Sequence, residues 1–169
     1  DYGENKVQEA IEKWTEIKKK KESLNLHMVG KLQTNKVKQA LKIFDYIHSL
    51  DSIKLAKKIS DEQKKTNKRV KIFIQINVGN ESQKSGIDIN DLQNFYDFCI
   101  NELDLNIIGL MCLPPANSDP SIYFDKMEKA LNKLPLNELS MGMSSDYLTA
   151  LSYNASFLRI GSKIFGERN

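Results

Sequence analysis

Short runs of β-branched and aromatic residues recur along this chain, each separated from the next by a stretch whose apolar positions follow helical spacing. That alternation restricts the fold more than any other feature. Strands in repeated βα units are covered on both faces, so they pair in parallel and pack beneath helices. The pattern predicts strands over 24–29, 43–48, 70–78, 105–113, 136–141 and 157–160, after an opening strand fragment at 1–3. Helices are predicted over about 5–20, 33–41, from 51, and over 88–100, 118–134 and 144–153. The run at 70–78 is the clearest strand, with Ile72, Ile74 and Ile76 alternating against Phe73, Gln75 and Asn77. Pro120 falls in the first turn of its helix, where its missing N–H costs nothing.

This count approaches seven strands. The expected fold is therefore a (β/α)8 TIM-type barrel that is incomplete at the N-terminus, lacking its first βα unit, with residues 1–169 forming a single domain. An open, doubly wound sheet is the alternative, because alternation alone does not separate closed from open parallel sheets. With 169 residues and 40% hydrophobic composition, the chain has material for one core and too little length for two ordinary domains.

Charge narrows the possible partners. Lys+Arg 25 against Asp+Glu 22 leaves a net +3, and the lysine clusters at 18–21 and 57–68 fall on amphipathic helices as ordinary solvated faces. No nucleic-acid-binding module accompanies them, so no nucleic acid partner is expected. Nor is a membrane, since no apolar run approaches the ~18 residues of a spanning helix. Cys99 and Cys112 lie far apart in apolar segments, which fits a reducing cytoplasm. No His, Cys, Asp or Glu group has metal-ligand spacing.

In a parallel barrel the functional residues follow the strands' C-terminal ends. Two such places stand out. Leu139-Ser140-Met141-Gly142-Met143-Ser144-Ser145-Asp146 sets a glycine loop before a helix whose expected N-cap is Ser144 or Ser145. Arg159-Ile160-Gly161-Ser162-Lys163-Ile164-Phe165-Gly166 is a second glycine loop, after the last strand. Barrels commonly bind phosphate through the loops after their last two strands, so the pair points to an anion site. Arg159 is one of only three arginines and stands beside it, either as a structural arginine paired with a carboxylate or as a ligand contact. Lys163 is expected to face solvent. His27 reads as a satisfied core histidine, and His48 falls at a strand end.

Several of these segments also carry a resemblance. Gly3-Glu4-Asn5, His27-Met28-Val29-Gly30-Lys31-Leu32-Gln33-Thr34-Asn35-Lys36, Gly109-Leu110-Met111 and the two glycine loops together resemble the pyridoxal phosphate homeostasis family, from the first residue to the last. The resemblance implies an alanine-racemase-like (fold type III) barrel that binds pyridoxal 5'-phosphate. It also implies that Ser144, Gly161 and Ser162 hold the phosphate, Arg159 faces the pyridine nitrogen, and Asn5 and Met141 border the ring. The family's cofactor-linking lysine lies on a strand before Gly3-Glu4-Asn5. Two positions depart from the family pattern: Lys6 replaces a frequent aromatic residue and Lys31 a usual histidine. The implied function is sequestration and delivery of pyridoxal phosphate within the cytoplasm, by a monomer with no reaction of its own. Its partners would be apo forms of pyridoxal phosphate enzymes. An amino-acid racemase is the alternative, and it would need an acid/base group opposite the lysine.

Overall fold

The computed structural model describes residues 1–21, 23–81 and 85–166; Arg168 lies outside them. Each strand leads into a helix. β1 (Tyr2–Glu4) precedes α1 (Val7–Lys20), and β2 (Leu26–Met28) leads through a 3-10 turn (Thr34–Lys36) to α2 (Val37–Ile43). β3 (Tyr46–Leu50) precedes α3 (Ile53–Thr66), β4 (Lys71–Ile76) precedes α4 (Leu92–Asp97), and β5 (Ile107–Cys112) precedes α5 (Pro120–Leu131). β6 (Glu138–Met143) then leads to α6 (Tyr147–Leu151), and β7 (Phe157–Arg159) to α7 (Ser162–Phe165).

Local chemistry sets several of these boundaries. The Ser52 hydroxyl accepts from the Leu55 N–H to start α3, and Asn67 in the left-handed region ends it. The Asp119 carboxylate accepts from the Ser121 N–H to start α5, with Pro120 at its first position. Two predicted strands shift by two residues or more at both ends: β6 runs over 138–143 instead of 136–141, and β3 moves furthest. The apolar pair Ile43-Phe44 belongs to the end of α2 and the turn after it, and β3 runs over 46–50 instead of 43–48. Asp45 divides the two elements: its carboxylate accepts from the Leu26 N–H at 2.8 Å and pairs with Lys18.

The seven strands form one sheet in chain order, every neighbouring pair parallel. Alternate residues of the strands go to opposite faces. Outward, Ile72, Ile74, Ile76, Leu110, Leu139 and Met141 join helix residues such as Leu55, Ile59, Phe124 and Met127 in one apolar core. Phe73 and Met111, fully buried, stand apart from that core and line the inner face with His27, His48, Ser140 and Phe157.

Contacts across that inner face decide between the two architectures. Strands sit ~4.8 Å apart, so β2 and β7 would be about 24 Å apart in a flat sheet. Yet the rings of His27 on β2 and Phe157 on β7 lie 5.8 Å apart. Phe157 also meets His48 on β3 and Phe73 on β4, at 5.8 and 5.1 Å. The sheet curls around its own inner face as a nearly closed parallel barrel, with β1 and β7 as its edges among the described residues. The open doubly wound alternative is excluded.

Phe73 stacks on His48 at 4.3 Å and is wholly buried, so Phe73→Ala removes the middle of this interior layer. Chemical denaturation should show a loss of about 3–5 kcal/mol, the usual cost of deleting a buried phenyl ring. Phe165 is 78% exposed, and Phe165→Ala should stay within about 0.5 kcal/mol.

Candidate functional site

All seven strands point the same way, so the loops after them share one mouth. Near the end of β6, Gly142 adopts φ +91°, and a Cβ there would lie 2.6 Å from the Ala150 Cβ. Only glycine suits that turn. The turn is closed from both sides: the Met143 N–H donates to Asp146 Oδ1 at 2.6 Å, and the Asp146 N–H donates to the Met143 carbonyl at 3.1 Å. α6 therefore begins at Tyr147 with Asp146 at its N-cap, later than the predicted start at Ser144, and neither Ser144 nor Ser145 caps it.

Ser144 turns instead to the second loop. Its hydroxyl oxygen accepts from the Lys163 N–H at 3.5 Å, joining positions 19 residues apart. Between the loops lies a depression of about 690 Å³, lined by Ser144, Ser145, Arg159, Gly161, Ser162 and Gly166, with Met143, Lys163 and Phe165 completing the lining. No atom lies within 4 Å of the Cβ position of Gly161, so the depression continues over its backbone. The Lys163 ammonium, predicted to face solvent, lies 4.5 Å from the centre of the Tyr147 ring, a cation–π contact that keeps its charge beside the depression.

Arg159 enters from β7. Its Nη1 donates to both the carbonyl and the hydroxyl of Ser140 at 2.8 Å, and its Nη2 donates to the Cys112 carbonyl at 2.7 Å. The guanidinium thus ties β7 to β6 and β5, and among the described residues it has no carboxylate partner, unlike the structural arginine considered from sequence. Its Nε is buried and has no partner among the described residues. Burial pushes its pKa down, yet an arginine stays protonated in proteins.

Of the six residues expected at the site, the structure brings Ser144, Arg159, Gly161 and Ser162 to one depression. Asn5 and Met141 stand elsewhere. Asn5 is exposed after β1, where its carbonyl oxygen would lie 2.3 Å from a Cβ at Gly30, so those two loops meet backbone to backbone. Met141 is fully buried in the apolar core between sheet and helices.

A polar cluster that sequence reasoning did not assemble lies beneath Arg159. His48 Nδ1 is 2.8 Å from the Ser140 hydroxyl, His48 Nε2 is 3.0 Å from His27 Nδ1, and His27 Nε2 is 3.2 Å from an Asp1 carboxylate oxygen. Both imidazoles are buried. His48 lies within β3 and not at a strand end. Burial above all, with the charges of His27 and Arg159, pushes His48 down to about 2, and burial pushes His27 down to about 4. The available signal was polar residues at inward positions of otherwise apolar buried strands. Elsewhere, burial pushes the Cys99 and Cys112 thiols up to about 12. Among the described residues no acidic, histidine or cysteine cluster suits a metal, and no helix is long and apolar enough to cross a membrane.

Comparison with known proteins bears on the family and the fold. The family described as "Alanine racemase, N-terminal domain" matches residues 1–169. The pyridoxal phosphate homeostasis protein of Aquifex aeolicus is 36% identical over 176 residues, covering 99% of this chain and 76% of that protein. The protein of the same name from Pasteurella multocida is 33% identical over 178 residues, with the same coverage of 99% and 76%. The structure of PipY from Synechococcus elongatus with PLP bound superposes at a TM-score of 0.87 with 33% identity, covering 97% of this chain and 80% of that one.

The neutral histidine pair gives stability a definite pH dependence. Below the ordinary histidine pKa of 6.5 an unfolded chain binds protons that the fold refuses, down to about 4 at His27 and about 2 at His48. Their contribution is complete above pH 6.5 and falls on acidification, each histidine adding a slope of at most about 1.4 kcal/mol per pH unit. Urea midpoints should drop between pH 7.5 and pH 5, and less in His48→Gln. Equal drops in both proteins would show that His48 is not the group responsible.

Proposed function

The chain belongs to the pyridoxal phosphate homeostasis family, built on the alanine racemase N-terminal domain, and on that premise we propose that its depression holds pyridoxal 5'-phosphate for storage and delivery. The observation that carries this reading is the convergence of the β6 and β7 loops on Arg159, whose buried Nε has no partner among the described residues. The residues present suit the cofactor. An aromatic nitrogen is an acceptor for Nε, and a phosphate dianion is an acceptor for the hydroxyls of Ser144 and Ser162 and for backbone N–H groups around Gly161. The open space over Gly161 admits a phosphate close to the backbone. Lys163 adds a cation to the lining. Asn5, exposed after β1 and apart from the depression, stands at the same barrel mouth. Met141 serves only through the β6 end that it anchors in the core.

Pyridoxal phosphate supplies an electron sink to the enzymes that use it, and that capacity depends on a protonated ring nitrogen. Arg159 works against such use. It can donate to the nitrogen and cannot accept from it, so it favours the unprotonated ring. This supports a protein that holds the cofactor without turning it over. In this reading residues 1–169 act as one binding unit, a cytoplasmic monomer whose partners are apo forms of pyridoxal phosphate enzymes. Two free, buried cysteines suit a reducing compartment.

Ser144→Ala and Ser162→Ala should each weaken pyridoxal phosphate binding by about 1–3 kcal/mol, the cost of a hydrogen bond to a charged group, in isothermal titration. Pyridoxal, which lacks the phosphate, should bind both variants as it binds the parent. Equal losses for both ligands would remove these hydroxyls from the phosphate site.

A further inference from the structure

The hydrogen bonds beneath Arg159 have a single consistent direction. An arginine only donates, so both its Nη1 contacts make Ser140 the acceptor, at the carbonyl and at the hydroxyl oxygen. The Ser140 proton must then go elsewhere. His48 Nδ1, at 2.8 Å, is its acceptor. That leaves the His48 proton on Nε2, directed at His27 Nδ1 at 3.0 Å. Reversing His48 would place two N–H donors on one hydroxyl oxygen and strand the serine proton inside the barrel.

We infer that His48, acting through Ser140, is a positioning residue: its bare Nδ1 holds the Ser140 hydroxyl in the orientation that locks the Arg159 guanidinium and leaves Nε free for a ligand. The inference rests on the proposed pyridoxal phosphate site for its purpose, while the lock belongs to the ligand-free protein. Packing holds the relay in place. His48 is sandwiched against Phe73 at 4.3 Å with Phe157 against its edge, and His27 stacks on Tyr46 at 4.1 Å. The charge facing His48 from β7 is Arg159, and from β2 the neighbouring titratable group is His27; both oppose a proton on it. A neutral acceptor is thus kept beside a permanent cation. A carboxylate here would hold the guanidinium as firmly but would draw it away from an acceptor on the ligand.

The test begins with the cofactor-free 169-residue chain, using ¹⁵N NMR of histidine and arginine side chains. His48 should show an unprotonated Nδ1 and a protonated Nε2 at neutral pH, and Arg159 a resolved Nε–H signal. His48→Phe, which keeps the ring stack and removes the acceptor, should broaden that signal. His48→Gln should retain it, since its carbonyl accepts from Ser140 and its amide donates to His27. Ser140→Ala provides a second break should His48→Phe fold poorly, and should broaden the signal likewise. A proton on His48 Nδ1, or an Arg159 signal indifferent to both breaks, overturns the inference.

Binding then reads the consequence. The parent should prefer pyridoxal phosphate over its 1-deaza analogue, in which CH replaces the ring nitrogen. His48→Phe should lose about fivefold of that preference, the equivalent of one hydrogen bond, while inorganic phosphate competes equally in all variants. An undiminished preference in His48→Phe also overturns the inference. If the parent binds no pyridoxal phosphate, the proposed function falls, and the cofactor-free spectra still decide on the lock.

Discussion

The sheet's curvature is the constraint on which everything else in this molecule depends. A parallel sheet with helices on its outer face leaves its inner face to be covered, and here the sheet covers it with itself. Phe157 on β7 meets rings from β2, β3 and β4. Those contacts bury the aromatic faces and bring the loops of distant strands to one mouth. A flatter sheet would separate Arg159 from the histidines that face it across the interior.

Closing the sheet also confines a cation. Arg159 carries its charge among strands where an unpaired ion would be expensive, and three donor contacts to carbonyls and a hydroxyl offset that cost. Among the described residues no carboxylate pairs with it. Burial above all keeps the two histidines below neutral, with Arg159 adding to it at His48, and the hydrogen-bond polarity runs from Arg159 through Ser140 and His48 to His27. The positive charge is thereby directed toward the mouth, where an aromatic nitrogen or a phosphate is the complementary partner.

Glycine and serine do different work in the two loops above. Gly142 permits a turn tight against α6, which frees Ser144 from capping and sends its hydroxyl toward α7. Gly161 leaves open space at the depression. Backbone conformation thus supplies the shape, while the side chains of Ser144, Ser162 and Arg159 supply the donors.

The chain's sequence by itself determined the βα succession, because periodicity and turn residues are local, and it marked Ser144, Arg159, Gly161 and Ser162, because each ends or follows a strand at the barrel mouth. Local signals misplaced β3 and α6, since Ile43-Phe44 reads the same at a helix end as in a strand, and Ser144 looks like any helix cap. Only the tertiary structure decided that the sheet curls, that Met141 faces the helices and that Asn5 stands away from the depression. It alone joined His48 to Ser140 across 92 residues. That contact depends on strand register and on how far the sheet bends, and both are settled by packing of the whole chain and not by the spacing of residues along any part of it.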